Sequence, residues 1–415
     1  MDIFTVITIL TVLAAIFGYI NVRFLRLPTS IGLMIISILF SLLVIAAGYF
    51  DPDIIELETA LVQSIDFQKV LMEVMLSFLL FAGALHVNFS ELKQQRLPII
   101  LFATLGVLTS TFLVGGLMYV LLGLLGLATP FIFCLLFGAL ISPTDPIAVL
   151  GILKKAGVPK KLETKIIGES LFNDGIGVVI FLTIYQIARA GMSEIHWNEI
   201  GLLFLEEVGG GIALGLALGW VAYQLMRTID NYEIEVLITL AIVMGGYLLA
   251  STLHFSGPLA VVVAGLMVGH DRFRTSTMSD LTERYVDKFW ELIDTLMNAV
   301  LFVIIGLEIV IINFEENYVV AGLLAIPLVL LARYAALALP IALFSKRLEF
   351  VPYTNVIMTW GGLRGGISIA LALSLAANMP RDLILTTTYI VVVFSIVVQG
   401  LTVGKVVERI LERAA

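Results

Sequence analysis

The chain has 415 residues, of which 60% are hydrophobic and only 13% are charged. Soluble domains carry about 25% charged residues, so this composition, with a mean hydropathy of +1.06, excludes a soluble fold. The net charge of −8 argues against a nucleic-acid partner, because phosphate binding requires a basic face.

Apolar segments near the ~20 residues that cross a bilayer follow one another along the whole chain. We number them as spans 1 to 13, and they are predicted near residues 3–20, 29–50, 68–87, 97–122, 129–152, 165–189, 200–226, 233–254, 257–270, 285–313, 318–345, 355–378 and 383–404. Spans 8 and 9 could instead form one broken element, which would leave twelve spans. The sequence therefore predicts an all-α polytopic membrane protein with about 13 transmembrane helices.

The basic residues predict the orientation of the spans. Most of the 24 lysines and arginines follow odd-numbered spans, including the lysine-rich loop 154–165. Because cytoplasmic loops are enriched in Lys and Arg, we expect the N-terminus outside and the C-terminus in the cytoplasm. The N-terminus has no basic region or cleavage site of a signal peptide, so span 1 is expected to be retained.

An odd number of alternating spans allows an inverted repeat. We predict one transporter unit, 1–415, built from two inverted six-helix repeats. The repeats cover about 3–189 and 233–404, a connector helix covers about 200–226, and a short cytoplasmic tail covers 405–415. Spans 5 and 12 are equivalent in this scheme, and we expect them to be broken and to cross near the membrane midplane.

Span 5 carries the motif Ser-Pro-Thr-Asp-Pro at 142–146. Each proline lacks an N–H group and clashes with the preceding turn, so the helix is predicted to break here. The break frees carbonyls such as that of Ser142. The alternative is a purely structural kink whose free backbone groups are hydrogen-bonded by neighbouring helices. Asp145 favours a functional site instead, because a carboxylate at membrane depth is costly.

Span 12 carries the matching motif Gly-Gly-Leu-Arg-Gly-Gly at 361–366. Its four glycines weaken the helix and permit close approach of other backbones. Asp145 is expected to neutralise the positive ends of the half-helices and Arg364 the negative ends. For Arg364 a structural ion pair is favoured over contact with a substrate.

Span 6 contains Gly-Glu-Ser-Leu-Phe-Asn-Asp at 168–174. Ser170 and Asp174 lie four residues apart on one helix face, and Glu169 and Asn173 share the neighbouring face. The first pair offers hard oxygen donors for a small cation, with the freed carbonyls of span 5 completing the shell. The second pair is better placed to bind Arg364 and to support the site, although all four side chains could be packing groups.

These three motifs resemble those of the electroneutral sodium/proton antiporters of the NhaP and animal exchanger type, and the resemblance extends over essentially the whole chain. It implies a cell-membrane homodimer, surrounded by lipid, in which a core domain moves against a dimerisation domain. It implies that Asp174 binds the cation with help from Ser170, Asp145 and the Thr144 backbone. It also implies that Glu169 and Arg364 brace the core, with Asn173 as support.

The transported Na⁺ would then be held by Asp174, Ser170 and Thr144. The sequence departs from the family pattern in span 3, where relatives often carry an acidic residue but this chain has Ala82. The nearest acid, Glu73, is more than two turns away, so its part in the ion pathway stays open.

Exchange of Na⁺, or Li⁺, for H⁺ is the leading functional hypothesis. The alternatives are a K⁺/H⁺ antiporter, a cation channel and, with less support, an intramembrane hydrolase using Ser170, which lacks a partner histidine. No Walker A or HExxH motif occurs, and no enzyme activity or cofactor is expected. Arg333 and Asp294 are assigned to no site, and His86 is a candidate pH-sensing group.

Overall fold

The computed structural model describes residues 3–48, 50–51, 59–62, 70–87, 89–145, 153, 156–190, 197–312, 314–344, 350 and 353–414. Within these ranges the chain is helical, and no extended strand is formed. The second half of span 5, from Pro146 onward, lies outside the described residues. The same is true of the Glu73 side chain and of part of the lysine-rich loop.

The predicted spans are present as helices or interrupted helices. Spans 1 to 6 contain the helices Ile3–Ile20, Thr29–Gly48, Leu76–Leu85, Val107–Leu124, Phe131–Ile141 and Lys160–Ala190. Spans 7 to 11 contain Trp197–Met226, Tyr232–Thr252, Gly257–Val268, Asp280–Leu307 and Glu316–Phe344. Span 12 has two halves, Thr354–Gly361 and Gly366–Leu373, and span 13 runs through Arg381–Phe394, the π-helical turn Ser395–Gln399 and Gly400–Ala414.

Nine of the described helical segments are long and apolar enough to cross a membrane, and shorter apolar helices occur in spans 3, 5 and 9. Span 12 adds the divided segment. Many large side chains of spans 7 and 8 are exposed, among them Leu216 and Leu237, as expected for surfaces that face lipid. The chain is therefore an all-α, multi-pass membrane protein.

Local signals separate spans 8 and 9. Asn231 accepts a hydrogen bond from the backbone of Ile234 and caps span 8, and Ser256 caps span 9 in the same way. Between the two helices the chain turns through His254, whose φ of 58° lies in the left-handed region. Spans 8 and 9 are thus two helices, and the twelve-span alternative is wrong.

The spans pack as two bundles. Spans 1, 2, 3, 7, 8, 9 and 10 contact mainly one another and form what we name the scaffold bundle. Spans 4, 5, 6, 11, 12 and 13 form the core bundle. A cavity of about 650 Å³ lies between the bundles, lined by Leu79 and Leu301 from the scaffold and by Asp174 and Gly366 from the core.

A largely buried arginine, Arg274, ties the scaffold together beside Asp287, which lines this cavity. Arg274, in the short helix Asp271–Thr277, donates to both carboxylate oxygens of Asp287 at 2.8 and 2.9 Å and to the Leu85 carbonyl at 3.2 Å. Burial alone would lower the pKa of Arg274, but its hydrogen bonds to Asp287 and Glu283 raise it. Arg274 therefore stays charged and links the end of span 3 to the start of span 10.

Spans 4 and 5 approach closely through glycine. A Cβ added at Gly138 would collide with the backbone carbonyl of Thr111, and one added at Gly115 would lie 2.8 Å from Leu135 Cδ2. Gly116, the next residue in span 4, has open space around its Cβ position. The first half of span 5 is therefore positioned by contact with span 4.

We expect Gly138→Ala to lower the thermal stability of the detergent-solubilised protein, because overpacking a close helix contact costs about 1 to 3 kcal/mol. Gly116→Ala is the matched control and should leave the melting temperature unchanged or raise it slightly, since Ala is the better helix former. Equal melting temperatures for the two variants would contradict this account of the contact.

Candidate ion-binding site

Spans 5 and 12 are both unwound, and their unwound segments pair with each other. The helix of span 5 ends at Ile141, and span 12 is interrupted between Gly361 and Gly366. The backbone N–H of Asp145 donates to the Leu363 carbonyl at 2.8 Å and forms an isolated antiparallel bridge. The predicted end of the span 5 helix at the proline motif and the predicted break of span 12 are confirmed, and the two unwound segments meet at this bridge.

Arg364 satisfies the carbonyls at the end of the first half of span 5. Its guanidinium Nη1 donates to the carbonyls of Ser142 at 2.6 Å and Pro143 at 2.9 Å. The prediction that Arg364 neutralises the negative end of a half-helix is confirmed. In this structure the guanidinium binds the freed Ser142 carbonyl, and the contribution of the span 5 carbonyls to a cation shell stays a prediction.

Glu169 pairs with Arg333 of span 11, at 2.6 Å from Nη1 to Oε1 and 2.7 Å from Nη2 to Oε2. Both side chains are at most 2% exposed. The expected ion pair between Glu169 and Arg364 is therefore wrong. The physical reason is geometric: Arg364 is held by the span 5 carbonyls, whereas Arg333 presents two parallel donors to one carboxylate.

Asn173 joins span 6 to the unwound part of span 5. Its Nδ2 donates to Thr144 Oγ1 at 2.9 Å and to Glu169 Oε1 at 3.2 Å, and its Oδ1 accepts from the Thr144 N–H at 3.3 Å. Thr144 Oγ1 lies 3.0 Å from Ser170 Oγ. The motif residues Thr144, Glu169, Ser170 and Asn173 thus form one buried network.

Asp174 and Asp145 lie at the inner end of the cavity. Asp174 is 7% exposed, both residues line the cavity, and they are close enough to repel each other electrostatically. Gly365 faces Asp145, because a Cβ added there would lie 2.7 Å from Asp145 Oδ2. The cavity touches these two carboxylates, while Thr144 and Ser170 are buried behind them.

Sequence reasoning missed three polar side chains that support this site. Arg333 was noted as an intramembrane charge but given no partner. Ser368 Oγ donates to the Leu140 carbonyl at 2.7 Å, and Ser395 Oγ accepts from the Arg364 N–H at 2.9 Å. The only signal for Arg333 was a charge within an apolar helix, and serines in apolar helices are too common to be a signal.

A polytopic bundle in which two unwound helices bring carboxylates to the end of a cavity is typical of ion-coupled secondary transporters. Comparison with known proteins agrees with this class. The family profile described as "Sodium/hydrogen exchanger, transmembrane" matches residues 11–409. The chain belongs to this family.

Two bacterial relatives match over nearly their whole length. The chain is 49% identical to the Na⁺/H⁺ antiporter NhaP of Pseudomonas aeruginosa over 404 residues, which cover 96% of this chain and 95% of the relative. It is 36% identical to the Na⁺/H⁺ antiporter NhaH of Halobacillus aidingensis, covering 94% and 93%. The fold matches that of the sodium proton antiporter MjNhaP1 of Methanocaldococcus jannaschii with a TM-score of 0.75 at 21% identity, covering 99% and 100%.

We expect a double-mutant cycle to detect the Glu169–Arg333 pair. Removing either partner leaves a buried charge uncompensated, which commonly costs about 3 to 5 kcal/mol. Glu169→Gln and Arg333→Met should each lower the melting temperature in detergent, and the double variant should be clearly less than additive.

The cycle of Glu169→Gln with Arg364→Met is the matched control and should be closer to additive, since Arg364 binds carbonyls instead. If the Arg364 cycle shows the larger coupling, our assignment of the ion pair is incorrect.

Proposed function

We propose that the chain is a secondary antiporter that exchanges Na⁺ for H⁺ at a single carboxylate site centred on Asp174. The observation that carries this proposal is the position of Asp174, almost buried at the end of a cavity and beside the unwound part of span 5. A carboxylate there needs a cation or a proton to offset its cost at membrane depth. The activity named for the relatives NhaP and NhaH supports the same exchange.

In the proposed site Asp174 provides the charged ligand, and the oxygens of Ser170, Thr144 and Asp145 provide hard donors suited to Na⁺. Thr144 Oγ1 and Ser170 Oγ are already held 3.0 Å apart, and Ser170 lies about one helical turn before Asp174 on the same face of span 6. Glu169, Asn173 and Arg364 support these ligands from behind. Li⁺ and K⁺ compete for the same donors, and their discrimination depends on the size of the shell.

We infer alternating access rather than a continuous pore. The residues that line the cavity run from the exposed Lys160 and Glu291 down to Asp174. Beyond Leu301 in span 10, apolar side chains of the described part such as Phe302 and Leu307 are buried. A channel requires an open path on both sides at once, so the one-sided cavity favours an antiporter.

We further propose the cell membrane as the location, a homodimer, and the N-terminus outside. The cavity is lined near its mouth by Lys160 of the lysine-rich loop, which supports a cytoplasmic mouth under the positive-inside rule. The pairing of spans 5 and 12 supports inverted repeats with the boundaries predicted from the sequence.

Asp174→Asn is expected to abolish exchange, because the amide keeps the shape of the side chain but cannot bind a proton or balance a sodium ion. The measurement is ²²Na⁺ uptake by proteoliposomes with an acidic interior, in which the outward proton gradient drives the uptake. Li⁺ and K⁺ are added as competitors. Glu291→Gln removes the same charge at the cavity mouth and should retain exchange. Near wild-type uptake by Asp174→Asn would disprove the site, and competition by K⁺ stronger than by Na⁺ would identify a K⁺/H⁺ antiporter.

We propose that the exchange is electroneutral, one proton for one sodium. Three carboxylates, Asp145, Glu169 and Asp174, and two guanidiniums, Arg333 and Arg364, leave one negative charge at the site. One Na⁺ or one H⁺ offsets that charge, and the residue before Asp174 is Asn173, which cannot titrate. The core then crosses with the same net charge in both directions.

The sodium ratio at equilibrium is therefore expected to follow the pH difference and not the membrane potential. Proteoliposomes clamped with K⁺ and valinomycin test this, because a transported net charge would gain about 2.3 kcal/mol per 100 mV. A systematic shift of the ratio with voltage would require a second titrating group, and Asp145 would be the first to examine.

A further inference from the structure

Two buried side chains with an unpartnered polar atom lie in the halves of spans 10 and 13 that are remote from the cavity mouth. Glu308 begins the 3₁₀ turn Glu308–Val310 after span 10, and Tyr389 lies in span 13; each is 2% exposed. Among the described residues, Glu308 Oε2 and the Tyr389 hydroxyl have no hydrogen-bond partner. Neither residue lines the cavity or belongs to the proposed Asp174 site.

The two side chains come from different bundles. The turn that begins at Glu308 packs against span 2 of the scaffold bundle, whereas span 13 packs against span 11 of the core bundle. Glu308 interacts electrostatically with both Tyr389 and Arg381 of span 13. The ring of Phe314 packs edge-on against Tyr389 with centroids 6.4 Å apart. The scaffold and core bundles are therefore in contact around Glu308 and Tyr389.

An unpartnered carboxylate oxygen and an unpartnered hydroxyl are costly to bury. Arg381 does not remove this cost, because in the described part it makes no ion pair with Glu308 within 4.0 Å and its own Nε is also without a partner. The cost of burying these two oxygens is removed when the two bundles separate and water or a cation reaches them. That separation is what a site opening toward this end requires.

We propose that Glu308 and Tyr389 form a second cation site, an outer access site that is closed in this conformation and receives Na⁺ when the ends of spans 10 and 13 part. A carboxylate and a phenol oxygen are hard donors that suit a small monovalent cation. The inference rests on the proposed antiport and orientation, since it assigns the ligands that Na⁺ meets on its way to Asp174 from outside.

The test measures the apparent KM for Na⁺ separately on each side of the membrane. Everted vesicles present the cytoplasmic side to the medium and right-side-out vesicles present the outer side, and ²²Na⁺ uptake into acid-loaded vesicles is measured identically in both. Glu308→Gln should raise the KM on the outer side by about five- to tenfold, the loss expected for one partly screened charge contact. The KM on the cytoplasmic side should change less than about twofold.

Glu316→Gln is the matched control, because it neutralises an exposed glutamate at the same end of the molecule and should leave both KM values unchanged. Tyr389→Phe removes only the hydroxyl, tests the proposal if Glu308→Gln does not accumulate, and should raise the outer KM alone by a smaller factor. Equal changes on both sides, no change, or a change confined to the cytoplasmic side would overturn the proposal. Absence of exchange by the wild-type protein would overturn the proposed function and this inference with it.

Discussion

A helix broken in the middle of a membrane exposes backbone groups that no water can pair, and the site depends on how the chain satisfies them. Two prolines remove donors from span 5, and the glycines of span 12 interrupt its helix at the same depth. The segments satisfy each other through the Asp145–Leu363 bridge, and Arg364 takes the carbonyls of Ser142 and Pro143. Because this backbone is held rigidly, the carboxylates of Asp145 and Asp174 are presented to the cavity.

The two buried arginines of the site bind different partners: Arg333 binds a side chain and Arg364 binds the backbone. Arg333 neutralises Glu169 through two parallel hydrogen bonds, while Arg364 binds carbonyl dipoles. Since the pair formed by Glu169 is complete, Glu169 can hold the amide of Asn173 without competing for the transported ion. Asn173 in turn holds Thr144. In the proposed site, the transported Na⁺ or H⁺ is therefore bound on the face of span 6 that carries Asp174, not on the face that carries Glu169.

The sequence predicted what is local and missed what depends on tertiary placement. Proline and glycine act within one turn, so the breaks in spans 5 and 12 were found at the correct residues. Helix periodicity likewise predicted that Glu169 and Asn173 share a face. No spacing rule connects Glu169 with Arg333, which lies 164 residues away. Two arginines were available to one glutamate, and only the packing of span 11 decides between them.

Span 10 connects the two ends of the proposed transport route. Its cavity-facing side chains, Asp287, Glu291 and Asp294, begin at the mouth, Leu301 reaches the level of Gly366, and Glu308 follows at the far end. The helix has 28 residues and a length of about 42 Å. In the proposed alternating-access cycle it is the fixed surface along which the core bundle shifts, and one end of the route closes as the other opens. In the proposed cycle, the separation that exposes Glu308 and Tyr389 therefore coincides with closure of the cavity below Asp174.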